Sequence, residues 1–337
     1  MDFEPETPQP AIDPAPAWPR ILGAFGVALA FALAVYLLLE ATRFNGTISF
    51  TFLLLLPASL SAFVCYVSDP HATRTIGQYL MVPFWLLLAV IVCSIFILRE
   101  GTICVVLLGP LWMLSGMLGA WLTHALRRRG EREERGGHVR ASALLVIPLL
   151  AMQVEPLVPL PTAEPVVARS IVIAAPPEKI WPLLRGIPDV RPGEGAWNIS
   201  QDVLGIPRPI GARLVGGGIG ADRYADWGER IKFRERITEW EPGRRLGWRF
   251  LFDDVAGWGY TDRHLMPNSA YFTVTTGGYT VEPLGDGRSR VTLDTHYRIT
   301  TPVNGYSEMW GQLFLGDLEN NLLALVKGRA ERGAARE

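Results

Sequence analysis

The first half of the chain alternates long apolar runs with short polar connections. Four runs have about the 20 residues that a helix needs to cross the hydrocarbon layer of a membrane. They contain no Asp, Glu, Lys or Arg and lie at residues 21–39, 48–67, 79–98 and 103–122. Because backbone polar groups cannot stay unpaired in lipid, each run is predicted to be a transmembrane helix.

The segment 141–160 has a weaker apolar pattern. Pro148 interrupts it, and Gln153 and Glu155 follow its clean apolar part. Two interpretations stay open. As a fifth span it would place the rest of the chain outside the cytoplasm, and as an interfacial helix it would leave the rest inside. The strongly basic loop just before it favours the span.

From Val166 onward the pattern changes to short strands and turns. Segments rich in β-branched residues alternate apolar and polar positions with a period of two, which indicates an antiparallel sheet wetted on one face. The clearest case is the stretch 288–300, whose two faces carry Val291, Leu293, Tyr297 and Ile299 on one side and Asp294, His296 and Arg298 on the other.

The end of the chain returns to a helical period. In the stretch 307–331, apolar residues recur at spacings of three and four, namely Trp310, Phe314, Leu318, Leu322 and Leu325. This predicts a long amphipathic helix whose apolar stripe lies on the sheet.

The order of strand, helix, several antiparallel strands and long final helix resembles the START-like (SRPBCC) superfamily. The resemblance rests on RSIVIAAPPEKIWPLL, on FRERITEWEPGRRLGWRF, and on the final hairpin with SEMWGQLFLGDLENNLLALVKGRAE. This superfamily includes the polyketide cyclase/dehydrase and lipid-transport proteins and the birch-pollen allergen. The resemblance implies a helix-grip fold, in which a sheet wraps around the last helix and encloses a cavity for an apolar molecule.

The predicted fold class is therefore an all-α transmembrane bundle of four or five helices followed by an α+β helix-grip domain. We expect a disordered, proline-rich tail at 1–19, a transmembrane domain at 20–160 and the START-like domain at 166–331.

Composition and charge agree with a membrane protein. The hydrophobic fraction is 49%, and the charged fraction of 19% is below the quarter typical of soluble domains. The net charge of −1 argues against nucleic acid as a partner.

The arginines of the predicted loops are distributed unequally between the two sides of the membrane. One side carries only Arg43 and Arg99, and the other side carries eight: Arg20, Arg74, Arg127, Arg128, Arg129, Arg132, Arg135 and Arg140. This asymmetry predicts a cytoplasmic N-terminus. We expect an integral protein of a bacterial inner (plasma) membrane, with the C-terminal domain on the extracytoplasmic side.

The residues that usually carry chemistry form no recognisable motif. The five histidines have no metal-ligand spacing, the three cysteines all lie in the apolar half, and no GxSxG nucleophile motif occurs. We therefore expect no metal and no cofactor. The glycine run Gly216–Gly220 lacks the following helix of a phosphate loop and is interpreted as a bulge or a flexible strand entry.

Aromatic residues give the better indication of a site. We predict that Tyr279, Tyr297, Trp310 and Phe314 line an apolar pocket, with the tyrosine hydroxyls as polar anchors. The expected function is a membrane-tethered binding module for a lipid or another hydrophobic small molecule, with membrane lipids as further partners. A cyclase- or dehydratase-like enzyme and a scaffold with a filled interior stay open as alternatives. The sequence displays no convergent polar pair that would favour the enzyme, and it leaves the oligomeric state open.

Overall fold

The computed structural model describes residues 18–41, 48–98, 102–129, 137–228, 231–255, 258 and 266–334. Most of the predicted tail (residues 1–17) and the middle of the Arg-rich loop (residues 130–136) therefore lie outside the described residues, as do the connection 99–101 and His264. The chain divides into two compact units, one made mainly of the apolar helices and the other mainly of Pro156–Glu337. The domain limits given above stay a prediction.

Five apolar helices are described in the first part of the chain. They are α1 (Trp18–Ala41), α2 (Leu56–Ser68, preceded by the π-helical turn Thr51–Leu55), α3 (Ile76–Cys93, continued by the π-helical turn Ser94–Leu98), α4 (Thr102–Arg129) and α5 (Gly137–Val154, followed by the 3-10 turn Glu155–Leu157).

Within the described residues, four of these stretches are helices long and apolar enough to cross a membrane. This confirms the four predicted apolar helices, and their crossing of a membrane stays a prediction. Their limits are Trp18–Leu39, Thr51–Ser68, Ile76–Phe96 and Val105–Arg128. The apolar part of α5, Ala141–Leu157, is shorter, and whether it crosses a membrane stays a prediction.

The second apolar helix is the most buried of the four. About 72% of its apolar window is buried, against 17% for the window in α3. Small residues allow its close approach to α4, because a Cβ atom on Gly119 would lie 2.1 Å from the carbonyl oxygen of Ala58. The hydroxyl of Ser115 also donates a hydrogen bond to the carbonyl of Leu54. Such small residues are typical of helix pairs in membranes.

The C-terminal unit contains the predicted antiparallel sheet, which has eight strands within the described residues. The strands are β1 (Thr162–Ala163), β2 (Val166–Ile173), β3 (Gly211–Val215), β4 (Asp222–Asp226), β5 (Lys232–Glu241), β6 (Arg245–Leu251), β7 (Phe272–Gly285) and β8 (Arg288–Thr300). The order across the sheet is β1-β8-β7-β6-β5-β4-β3, and β2 also pairs with β8.

Turns and bulges give the sheet its curvature. The β5–β6 turn contains Gly243 and the β7–β8 turn contains Gly287, both at positive φ. The register shifts between Ile237 and Glu239, and again between Val274 and Thr276, and such bulges bend a strand. The predicted bulge or strand entry at Gly216–Gly220 is instead the connection between β3 and β4, where three of its glycines adopt positive φ.

Three helices are described in this unit besides the sheet: α6 (Pro177–Arg185), α7 (Ile199–Asp202) and the long final helix α8 (Asn304–Ala334). The C-terminal part of α8 packs with α6 and the sheet in one core cluster that includes Ile180, Leu184 and Leu323. A second cluster joins Leu315 of α8 to Val167 and Tyr297. The sheet thus holds α8 at two places along its length, as the helix-grip fold requires.

Candidate ligand-binding cavity

A cavity of about 160 Å³ lies between the inner face of the sheet and α8. The helix contributes Leu315, Leu318, Glu319, Leu322 and Leu325, which recur at the spacing that places residues on one helix face. This volume is similar to that of apolar protein cavities that bind a benzene-sized molecule, at about 150 Å³. The side chains therefore leave space between the sheet and α8.

Aromatic rings form one wall of the cavity. Phe233 lies at the centre of this group, with its ring centroid 5.8 Å from that of Phe250 and 5.7 Å from that of Phe252. Phe250 and Phe252 are stacked, and Trp258 meets Phe252 edge to face. Phe233 belongs to β5 and Phe250 to β6, and both point to the inner face of the sheet, whereas Phe252 and Trp258 follow β6 in the chain.

A buried ion pair lies among these apolar residues. Arg223 on β4 and Glu235 on β5 are direct partners in the strand register, and both line the cavity. Nη1 of Arg223 donates a hydrogen bond to Oε2 of Glu235. Their side chains are only 7% and 6% exposed, so the pair is shielded from water. Nε of Arg223 has no hydrogen-bond partner.

Two aromatic residues surround the guanidinium of Arg223. Its carbon lies 5.8 Å from the ring centroid of Trp248, and Tyr279 lies beside it. Burial lowers the pKa of Arg223, but Glu235 and Tyr279 raise it by more, so the guanidinium stays charged. Burial raises the pKa of Tyr279 to about 12, which keeps its hydroxyl neutral.

Glu319 is the most unusual residue of the cavity. It is 2% exposed, and neither carboxylate oxygen has a hydrogen-bond partner of normal geometry. Burial raises its pKa to about 7, although nearby Thr295 and Arg169 lower it in part. Arg169 itself is engaged elsewhere, because its Nη2 donates to the carbonyl of Gln312. A carboxyl group of this kind exists in both protonation states near neutral pH.

The structure places the four predicted pocket residues at different sites. Tyr279 lines the cavity. Tyr297 is buried in the second core cluster, where its hydroxyl lies 3.5 Å from the carbonyl oxygen of Glu308. The rings of Trp310 and Phe314 stack on each other with centroids 5.4 Å apart, and neither is among the lining residues. A ligand-binding role for the four stays a prediction.

The polar lining residues were not predicted from the sequence, although the sequence pattern contains a signal for them. Glu235 is in phase with Phe233 and Ile237 on β5, so the period of two places it on the inner face. Glu319 similarly falls within the apolar stripe of α8. A charged residue at an inward position is unfavourable without a partner, and that mismatch marks a candidate site.

The arrangement suits an apolar molecule with one polar group. The rings and leucines offer apolar contact, Arg223 and Tyr279 offer donors, and Glu319 offers an acid or a base. Across the described residues, no group of three or more His, Cys, Asp and Glu is placed to hold a metal ion.

Comparisons with known proteins bear on the same region. Residues 164–328 match the family model described as polyketide cyclase / dehydrase and lipid transport, which confirms the predicted resemblance. Among solved structures, norcoclaurine synthase from Thalictrum flavum is 14% identical, with a TM-score of 0.33, over 52% of this chain and 90% of its own. An aromatase/cyclase from Streptomyces sp. R1128 is 18% identical, with a TM-score of 0.31, over 51% and 96%. No curated protein matches the chain. The family match supports a domain that binds a hydrophobic ligand.

Proposed function

Because residues 164–328 carry a domain of the polyketide cyclase / dehydrase and lipid transport family, we propose that this protein holds a lipid or another hydrophobic small molecule in a membrane-tethered cavity. The observation that carries the proposal is the hollow interior lined by Phe233, Phe250 and Leu318. An interior of this kind would lose contact energy if it stayed empty, and an apolar ligand restores the missing contacts.

The tether is supported by the surfaces of the apolar helices. Large apolar side chains such as Leu22, Leu88 and Trp121 are more than two-fifths exposed. Water would disfavour such a surface, whereas lipid chains are as apolar as leucine. An apolar ligand also concentrates in the bilayer, so an anchored cavity meets it at a high local concentration.

For the topology, we propose a cytoplasmic N-terminus and a fifth crossing by α5, which places the cavity outside the cytoplasm. A reporter enzyme that is active on one side only, fused after residue 337, tests this arrangement. Activity outside the cytoplasm is expected, and activity inside would contradict the fifth crossing.

The binding proposal is tested by native mass spectrometry of the full chain in lipid nanodiscs. Ala225 lines the cavity, so Ala225→Phe should fill it, whereas Ala168→Phe adds the same ring on an exposed face of β2. We expect the unmodified protein and Ala168→Phe to retain a co-purifying small molecule that Ala225→Phe loses. Equal occupancy in all three proteins, or none in the unmodified protein over repeated preparations, would overturn the proposal.

The polar cluster favours a second candidate, an enzyme of the cyclase or dehydratase kind. General acid–base catalysis is most efficient when the pKa of the acting group is close to the working pH, and burial raises the pKa of Glu319 to about 7. Chemical change of the co-purifying molecule during incubation, abolished by Glu319→Gln, would favour this candidate. Unchanged release of the same molecule would favour binding alone.

A further inference from the structure

Three charged residues are found among the described lining residues of the cavity: Arg223, Glu235 and Glu319. Arg223 and Glu235 neutralise each other through their direct hydrogen bond. Glu319 has no oppositely charged partner among these lining residues. When its carboxyl is ionised, the three residues together carry a net charge of about −1.

The positive charge of Arg169 acts on Glu319, but among the described residues no cation forms an ion pair with it. Its two oxygens are buried without a hydrogen-bond partner, while the guanidinium of Arg169 is held by the backbone of Gln312. A buried carboxylate that lacks a partner is costly, and such groups normally pair with a cation or a donor. A bound molecule can supply the hydrogen-bond partner that Glu319 lacks.

The rest of the lining agrees with a cationic partner. Trp248 contributes to the cavity wall, as do the rings of Phe233 and Phe250. The faces of aromatic rings attract organic cations as well as apolar groups. An anionic group beside Glu319 would instead meet a like charge in a poorly solvated space.

We propose, on the basis of the binding function above, that Glu319 binds the amino group of an aromatic or otherwise apolar amine. The carboxylate accepts hydrogen bonds from the ammonium, and the apolar body of the amine fills the space between the rings and α8. The molecule thus belongs to the basic amphiphiles and not to the fatty acids.

Binding of such an amine depends on pH because Glu319 must be ionised. The charged and titratable groups that face it are Arg169 on β2, Tyr279 on β7 and Asp294 on β8, with the Arg223–Glu235 pair on β4 and β5. Burial places the pKa of Glu319 near 7, so affinity for the amine is expected to rise as the pH increases from 6 to 8.

Three probes of similar size separate the alternatives: 2-phenylethylamine, 2-phenylethanol and phenylacetate. Their binding to the full chain in nanodiscs is measured by calorimetry and by tryptophan fluorescence. We expect the amine to bind about tenfold more tightly than the alcohol, as for a hydrogen bond to a charged group, and phenylacetate to bind most weakly. Glu319→Gln keeps the shape and should remove the preference for the amine. The control is Glu308→Gln, an exposed position on the same helix, which should preserve it.

The outcomes distinguish this inference from the binding proposal. If the alcohol binds as tightly as the amine, or Glu319→Gln retains the preference, the cavity binds apolar molecules but the amine assignment is wrong. If none of the three probes binds while circular dichroism shows a folded protein, the inference fails, and the absence of a co-purifying molecule would show that the binding proposal fails as well.

Discussion

The apolar helices and the C-terminal domain depart from the usual pattern of soluble proteins in opposite directions. In the helices, large apolar side chains such as Leu22 and Leu88 are exposed. In the domain, the charged residues Arg223, Glu235 and Glu319 are almost fully buried. The exposed apolar surface is unfavourable in water. In the domain, Arg223 and Glu235 pair with each other, whereas the buried carboxyl of Glu319 is unfavourable without a partner. We propose that lipid covers the apolar helices and that the polar group of a bound molecule meets Glu319.

The largest effect is expected when the buried ion pair loses one member. Glu235→Leu leaves the guanidinium of Arg223 buried without its counter-charge, which should cost about 3–5 kcal/mol of unfolding free energy. Thermal denaturation of the full chain, followed by tryptophan fluorescence, measures the loss.

The double variant Arg223→Met/Glu235→Leu is the matched control, because it removes both charges and keeps apolar volume. It should be much more stable than Glu235→Leu alone. Equal stability of the two variants would mean that the pair does not exist as described.

A charge on the outer surface should discriminate between the two regions. Leu88 is 41% exposed and Val172 is 37% exposed, so the two positions have similar exposure. Leu88→Arg places a cation in the middle of a proposed span, at about 2.5–3.5 kcal/mol in insertion free energy. Val172→Arg on β2 should be nearly neutral. The yield of each variant in the membrane fraction measures these effects. Equal yields of the two variants would argue against lipid around α3.

A pH series tests the burial of Glu319. Its pKa is raised from 4.5 to about 7 in the folded state, so between these values the folded protein binds more protons than the unfolded chain. Without bound ligand, stability should therefore fall as the pH rises from 4.5 to 7 and then level off, by at most about 3 kcal/mol. Glu319→Gln should flatten this profile and melt at a higher temperature at pH 8. A profile that is unchanged by the substitution would mean that Glu319 is solvated.

The smallest effect concerns the contact between α2 and α4. Gly119→Ala would force a Cβ atom against the carbonyl of Ala58, at a cost of roughly 1–3 kcal/mol. Gly109→Ala lies on the same helix with nothing within 4 Å of the added atom and should be tolerated. The fraction of each variant that stays folded in a denaturing detergent is then measured. Similar losses of folded protein in the two variants would mean that Gly119 does not lie in a tight helix contact.

Most of the fold could be predicted from the sequence because two simple patterns dominate the chain. Charge-free runs of about 20 residues determine the apolar helices, and the period of two between Val291 and Ile299 determines the inner face of β8. The role of the glycine run was harder to predict, since a turn and a bulge both tolerate positive φ at Gly216.

Much less of the candidate site could be predicted from the sequence. Aromatic residues in a sheet and on a helix are mostly core, and size alone did not separate Tyr279, which lines the cavity, from Tyr297, which packs against Gly311. The pairing of Arg223 with Glu235 depends on the register between β4 and β5, which the local pattern does not fix. The position of Glu319 opposite these strands depends on how α8 lies on the sheet.

The most direct test of the central claim is an experimental structure of the full chain, purified in nanodiscs from the membranes in which it is made. The account predicts density for a small molecule bounded by Phe233, Phe250 and Leu318, with a polar atom within hydrogen-bond distance of Glu319. Side chains that collapse into the space and leave no room for such a molecule would contradict it.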